Sequence, residues 1–227
     1  MVMKRLNYLC VLLSFLAWPL VSNGQEDGDE LERGSIWPGY IITNEGDTVW
    51  GHLLNINLWM NQNMTFYYSD PDNRETRIRY RPKEIKAYQV GNRYYESVKF
   101  PFPYGNHPVS FVQRRIDGPI RCYVWYYNME KGRLMSSDFN LNDLAKVILF
   151  EEKDLATSCY GVKEDGEFTE LTSFKFLVKF AKNMSDYVKD DPELARKILD
   201  KEQGYLGIPR DIERIIREYN QNKGAGR

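Results

Sequence analysis

Between Ile36 and about Val162 the apolar positions fall in short runs rich in Tyr, Val, Ile, Phe and Trp, separated by turn-forming residues. From Thr169 onward they recur every three or four residues. The first pattern is that of antiparallel strands and the second that of amphipathic helices. Nine strands are predicted: 39–43, 48–58, 64–69, 76–80, 85–90, 93–100, 109–116, 120–128 and 145–151. "NEGD", "SDPDN", "GN" and "DGP" supply Gly, Asn, Asp or Pro where the chain must reverse. The tightest is Gly91-Asn92 in "QVGNRYY", where Gly at the first position accepts the positive φ of a two-residue hairpin. In "ITNEGDTVWGHLLNI", Gly46 and Asp47 read as the turn of an opening hairpin, and Gly51 as a place where a strand bends or a neighbour comes close. Asp47 and His52 lie ~17 Å apart at strand rise, so they cannot act together.

The helical part predicts three helices. In "LTSFKFLVKFAKNMSDYV", Leu171, Phe174, Leu177, Val178, Ala181, Met184 and Val188 form one stripe. Phe176 and Phe180 widen it, which predicts the most buried helix of the three. The second helix has Asp191 as cap, Pro192 at its first position and Gly204 as its stop. The third starts near Pro209 and turns Ile212, Ile215, Ile216 and Tyr219 inward. Helices this short with one-sided stripes must pack on one another or on the sheet. The fold class is therefore α+β: an antiparallel, barrel- or sandwich-like β-rich body at 36–165, a helical domain at 166–222 and a disordered tail at 223–227.

Before the β-rich body stand Lys4 and Arg5, an uncharged stretch from Leu6 to Val21, and small residues up to Gly24. That order is a secretory signal peptide at 1–24, with cleavage expected after Gly24. Pro19 interrupts the apolar core, which is shorter than the ~20 residues of a spanning helix, and no later segment is apolar for long enough. "QEDGDELER" then carries five acids and one base over nine residues, a solvated, flexible leader at 25–35. Loss of Lys4 and Arg5 moves the formal charge from −1 to −3. This argues against nucleic acid as the main partner.

The mature chain keeps two cysteines, Cys122 and Cys159. In an exported protein they are candidates for a disulfide, with two buried free thiols as the alternative. The chain has two histidines. His52 reads as an ordinary strand residue and His107, in "PFPYGNHP", as a loop residue. Without HExxH, CxxC, GxSxG, GxxxxGK[ST] or GxGxxG, the sequence offers no metal site, no cofactor and no assignable catalytic residue. The acceptor patterns "NMT" at Asn63 and "NMS" at Asn183 matter only where glycosylation machinery exists.

Two surfaces remain. Arg77, Arg79 and Arg81 alternate, so a strand through them places all three on one face, either to grip an anion or as the solvent side of an amphipathic strand. The aromatic segments around Tyr94, Tyr104, His107 and Trp125 are ligand-contact candidates. In "YVWYYN", Tyr123, Trp125 and Tyr127 face one way and Val124 and Tyr126 the other. Such a strip suits a sugar or a protein partner, or packing beneath the helices, which is the preferred reading.

The segments "GYIITNEGDTVWGHL", "YRPKEIKAYQVGNRYYES" and "LARKILDKEQGYLGIPRDIERIIREYN" resemble a widespread group of uncharacterised proteins exported by Bacteroidetes bacteria. These open with "G-x-I…GDT…G", continue through "Y-x-P-x-x-I" and close with helices ending in "YN". The resemblance implies a Gram-negative envelope location, periplasmic or outer-membrane-associated, and carries no activity or catalytic residue. The expectation is a non-enzymatic interaction protein whose partner is another envelope protein or a surface glycan. The alternatives are a glycan- or peptide-acting hydrolase using carboxylates or His107, and a glycan-binding module using exposed aromatics.

Overall fold

A computed structural model describes residues 31–99, 109–127, 155–164 and 166–224. Ten strands form one antiparallel sheet: β1 (Ile36–Thr43), β2 (Thr48–Leu54), β3 (Thr65–Tyr68), β4 (Arg77–Tyr80), β5 (Ile85–Val90), β6 (Arg93–Val98), β7 (Ser110–Ile116), β8 (Ile120–Tyr127), β9 (Ala156–Lys163) and β10 (Thr169–Glu170). Their order is β10-β9-β8-β7-β6-β5-β1-β2-β3-β4, so among the described residues β10 and β4 are the two edges of a single sheet. Four helices follow: α1 (Phe174–Val178), α2 (Phe180–Tyr187), α3 (Pro192–Leu199) and α4 (Pro209–Gly224). The molecule is thus α+β, with a ten-stranded antiparallel sheet and C-terminal helices.

Local chemistry explains the hairpins. Gly46 takes φ +104° in the β1–β2 turn, and Gly91 takes φ +54° in the two-residue connection that pairs Val90 with Arg93. Gly39 and Gly51 stand opposite each other in β1 and β2. The Tyr67 ring lies where a Cβ on Gly51 would be, and its hydroxyl donates to the Trp50 carbonyl at 2.8 Å.

Side-chain alternation gives the sheet two faces. On one, Ile41, Tyr88, Tyr95, Gln113, Val124 and Cys159 are consecutive partners across β1, β5, β6, β7, β8 and β9. Tyr88 and Tyr95 stack there with ring centroids 4.8 Å apart. Toward β8 and β9 this face carries the helices, where Ile116, Ile120, Cys122 and Cys159 share one core with Phe180, Met184, Leu194, Ile198, Ile212, Ile215 and Ile216. Sheet and helices are accordingly one compact unit, Leu31–Arg227.

After Leu54 the chain leaves the sheet, where an extended run to Leu58 is expected from the sequence. Asn55, Asn57 and Asn61 bond inward instead: Asn61 Nδ2 donates to Asn55 Oδ1 at 2.9 Å, and Met60 N donates to Asn57 Oδ1 at 2.7 Å. The buried Gln62 side chain then completes a strand edge. It donates to the Tyr126 carbonyl and accepts from the Tyr126 amide, both at 2.8 Å, beyond the last β7–β8 pair at Gln113–Val124.

Several expectations are corrected. Ala156–Lys163 is a strand that its Ser, Thr, Cys and Gly content concealed. The helix expected over 171–188 breaks at Lys179, whose φ of −120° and ψ of 39° are not helical. Phe174 and Val178 are 85% and 61% exposed, so the first part of this stretch is not the most buried helix. α3 ends at Leu199 rather than Gly204, and Lys201 takes a left-handed φ of 53°. Leu31, assigned to the flexible leader, is buried against the Ile41 and Leu53 cluster and accepts from Asn55 Nδ2 at 2.8 Å. The tail residue Lys223 is helical and bound to Asp190. The expected signal peptide at 1–24, the leader through Glu30, the strand at 145–151, and residues Tyr104, His107 and 225–227 lie outside the described residues.

Candidate functional site

The sheet face opposite the helices carries one continuous row of side chains. Trp50 pairs with Tyr40, Tyr40 with Gln89, Gln89 with Tyr94, and Tyr94 with Arg114. The row continues through Tyr123 and Tyr160 to Glu170 at the β10 edge. Adjacent strands lie ~4.8 Å apart, so directly opposed side chains touch along the row.

Its two ends differ. Tyr123 and Tyr160 are buried beneath Phe168, with ring centroids 5.4 and 6.5 Å from it. At the other end Trp50 is 72% exposed, and its ring centroid lies 4.9 Å from that of Tyr40, tilted by 59°. Tyr40 in turn lies 6.5 Å from Tyr94 at 47°, and its hydroxyl donates to Gln89 Oε1 at 2.9 Å. The accessible stretch thus runs from Trp50 through Tyr40 and Tyr94 to Arg114.

Electrostatics hold this stretch in place. Arg114 bonds Glu96 Oε1 at 2.6 Å and Asp117 at 3.3 Å, and its guanidinium carbon sits 4.4 Å from the Tyr94 ring centroid. A cation over a ring and a carboxylate at its edge fix both the guanidinium and the ring beneath it. The second Glu96 oxygen accepts from the Tyr123 hydroxyl. Burial, then the hydrogen bond and charge of Glu96, push the Tyr123 hydroxyl well above its ordinary range. Burial and Glu96 also raise Tyr94. Both phenols stay protonated at neutral pH, and that of Tyr123 donates to Glu96.

The other candidates are dispersed. Arg77 and Arg79 are exposed on edge strand β4, with Arg77 5.2 Å from the Phe66 ring centroid, and Arg81 is exposed just past the strand, which ends at Tyr80. Trp125, a ligand-contact candidate, is only 8% exposed, because it packs in a cluster with Val112, Tyr123, Tyr160 and Val162. The aromatic strip of β8 does not lie beneath the helices: those cover the alternate residues Ile120 and Cys122. Tyr94 is half-buried under Arg114. His52 is half-buried opposite Tyr68, and its Nδ1 is enclosed with no partner among the described residues. Cys122 and Cys159 are buried free thiols with their sulfurs 3.0 Å apart. Both glycosylation-pattern amides are engaged internally, Asn63 to the Trp59 carbonyl and Asn183 to the Phe176 carbonyl.

An open cleft of about 460 Å³ lies between β10 and the first two helices. It brings the carboxylates of Glu170 and Asp186 near Lys175 and Asn183, and Glu170 accepts from Ser158 at 3.1 Å. Among the described residues no group of three or more His, Cys, Asp or Glu side chains is placed to hold a metal ion. No described helix is long and apolar enough to cross a membrane.

Trp50, Glu96 and Arg114 are absent from the candidates read in the sequence. The hairpin turn at Gly46 alone fixes the pairing of Tyr40 with Trp50 and carries that part of the signal. The remainder depends on β1 pairing with β5, a relationship between segments about 45 residues apart. Comparison with known proteins finds no matching family model, no similar curated protein and no similar solved structure.

Proposed function

We propose that this chain is a non-enzymatic, exported cell-envelope protein that binds another envelope protein through the Trp50–Tyr40–Tyr94–Arg114 end of its sheet row. The observation that carries the reading is Trp50, a large apolar side chain 72% exposed beside rings that the sheet and the Arg114–Glu96 pair already hold in place. Aromatic and Arg side chains of this kind are the usual anchors of protein interfaces, and their pre-ordering lowers the entropic cost of association. The tilts of 59° and 47° favour a protein over a glycan, because stacking a flat sugar across two rings needs them coplanar. Export rests on the basic, apolar and small-residue order of Met1–Gly24 and on the resemblance to proteins exported by Bacteroidetes bacteria.

The test is affinity capture of the full protein from its own envelope, with fractionation and N-terminal sequencing of the mature form. The expected start is Gln25, and one partner protein is expected that Trp50→Ala loses by about tenfold or more. Equal capture by Trp50→Ala, or a cytoplasmic protein that keeps Met1–Gly24, overturns the reading. Turnover of a glycan or peptide library that depends on Glu170 and Asp186 would assign the protein to the hydrolase alternative.

A further inference from the structure

The sulfurs of Cys122 and Cys159 are 3.0 Å apart in the shared core of the sheet and helices. The two residues are not direct partners: Cys122 opposes Gly161 and Cys159 opposes Val124. Their contact therefore runs along the diagonal between β8 and β9. Gly161 makes this possible by placing no side chain opposite Cys122. The space above Gly161 is taken by the Tyr187 hydroxyl and Leu171, which close the pair in from the helical side.

We propose that Cys122 and Cys159 form an intramolecular disulfide in the exported protein, a reading that rests on the export argued above. The sulfurs need move about 1 Å closer to reach the ~2.05 Å of a disulfide. The pair joins two adjacent strands of one chain, so the bond ties β8 to β9. The thiols lie alone: among the described residues no third ligand stands by to make them a metal site.

The reaction is a thiol–disulfide exchange with an external disulfide, either a small one or that of an oxidoreductase. One cysteine thiolate attacks a sulfur of that disulfide, forms a mixed disulfide and expels a thiolate. The second cysteine then displaces the other half. The pair gives up two protons and two electrons, and the oxidant leaves as two thiols.

Burial also sets the timing. The hydrogen bond to Cys159 and then burial hold the Cys122 thiol well above its ordinary range, and the thiolate is the nucleophile. Exchange is therefore slow once α2 and α4 cover the pair. The bond forms before the helices dock, or when they open.

The test has two arms on the mature chain from Gln25 onward, whose cysteines are Cys122 and Cys159. In cells, the protein is acid-quenched, denatured and tagged with a maleimide polymer. No tag is expected on the exported form without reductant and two after reduction. Two tags without reductant on exported protein overturn the disulfide and leave export standing. In vitro, the purified reduced protein is incubated with oxidised glutathione. A monomer two mass units lighter is expected, melting about 10 °C above the reduced form, with formation about tenfold faster in sub-denaturing urea. Stable glutathione adducts or disulfide-linked dimers in place of that monomer overturn the pairing. A protein retained in the cytoplasm that still closes the bond in vitro defeats the export reading and not the pair.

Discussion

The Tyr219 hydroxyl donates to Asp190 Oδ2 at 2.5 Å, which ties the last helix to the α2–α3 connection. Lys163 of β9 reaches the other oxygen of the same carboxylate at 2.5 Å, and Lys223 approaches at 3.1 Å. One aspartate thus joins the sheet, the helical turn and the end of α4.

Asp190→Asn tests this junction. Burial alone would raise the Asp190 carboxyl, but the hydrogen bonds from Lys163, Tyr219 and Lys223 outweigh it and hold the group well below the usual carboxylate range. The folded state therefore binds its proton more weakly than the unfolded state, whose value is ~3.9. The contribution is complete at neutral pH and drains as pH falls below about 4. The carboxylate is partly exposed, so screening limits its worth, and Asp190→Asn is expected to cost about 1–2 kcal/mol at pH 7. Urea unfolding should show the gap between the two proteins narrowing toward pH 2. A gap independent of pH would contradict the assignment.

Asn220, which follows Tyr219 in the chain, does a different task. Its Oδ1 accepts from the Ile120 amide at 2.8 Å, while its Nδ2 donates to the carbonyls of Ile120 at 2.8 Å and Asp117 at 3.2 Å. An amide alone can both accept and donate here. Asn220→Ala should cost about 2 kcal/mol. Asn220→Asp should cost more than Asn220→Ala, because a carboxylate keeps the one accepted bond but faces two carbonyl oxygens. Thermal unfolding of the three proteins at neutral pH gives the order.

Tyr219 and Asn220 are the "YN" of "IPRDIERIIREYN", inside a helix that runs on to Gly224, and they show what was legible in the sequence. Local features were readable because they depend on neighbouring residues: the Gly91-Asn92 hairpin, the Asp191 cap that accepts from Leu194 N at 3.2 Å, and the inward stripe of α4. The strand β9 was hidden because Cys159 and Gly161 are covered by helices that follow in the chain, and Ser158 is buried on the other face beside Glu170, with no apolar run of their own. The break at Lys179 was hidden because Phe174 and Val178 continue a helical period while facing solvent. The row from Trp50 to Glu170 needs the order of eight strands, which no local pattern encodes.

Gly39 and Gly51 face each other yet should respond differently to Ala. A Cβ on Gly39 would lie 1.9 Å from the Gln89 carbonyl oxygen, a backbone atom of the adjoining strand that cannot step aside. A Cβ on Gly51 would lie 2.5 Å from the Tyr67 ring, a side chain that can tilt. Gly51→Ala should cost about 1–2 kcal/mol and Gly39→Ala about 3 kcal/mol or more. Tyr67→Leu should relieve Gly51→Ala by about 1 kcal/mol in a double-mutant cycle and leave Gly39→Ala unrelieved. Equal costs, or equal relief, would refute the distinction.

Gln62 offers the sharpest test of how the sheet is finished. Its amide bonds both the N–H and the C=O of Tyr126, 64 residues away, and the side chain is fully buried. Gln62→Met removes both bonds and leaves two buried backbone groups unpaired, a loss of about 2–3 kcal/mol. Gln62→Glu differs in being pH-dependent. Ionised, it accepts from the amide but repels the carbonyl and buries a charge. Protonated, it restores the donor. Burial raises the folded pKa of the introduced carboxyl above its unfolded ~4.3, so the folded state binds the proton more tightly. Relative to wild type, Gln62→Glu should therefore lose about 3 kcal/mol at pH 7 and regain part of it as pH falls toward 5. Hydrogen exchange at the Tyr126 amide provides the local readout: protected in wild type, fast in Gln62→Met, and in Gln62→Glu more protected at pH 5 than at pH 7 once corrected for intrinsic rate. Unchanged protection in Gln62→Met would mean that the Tyr126 edge is held by something other than this side chain.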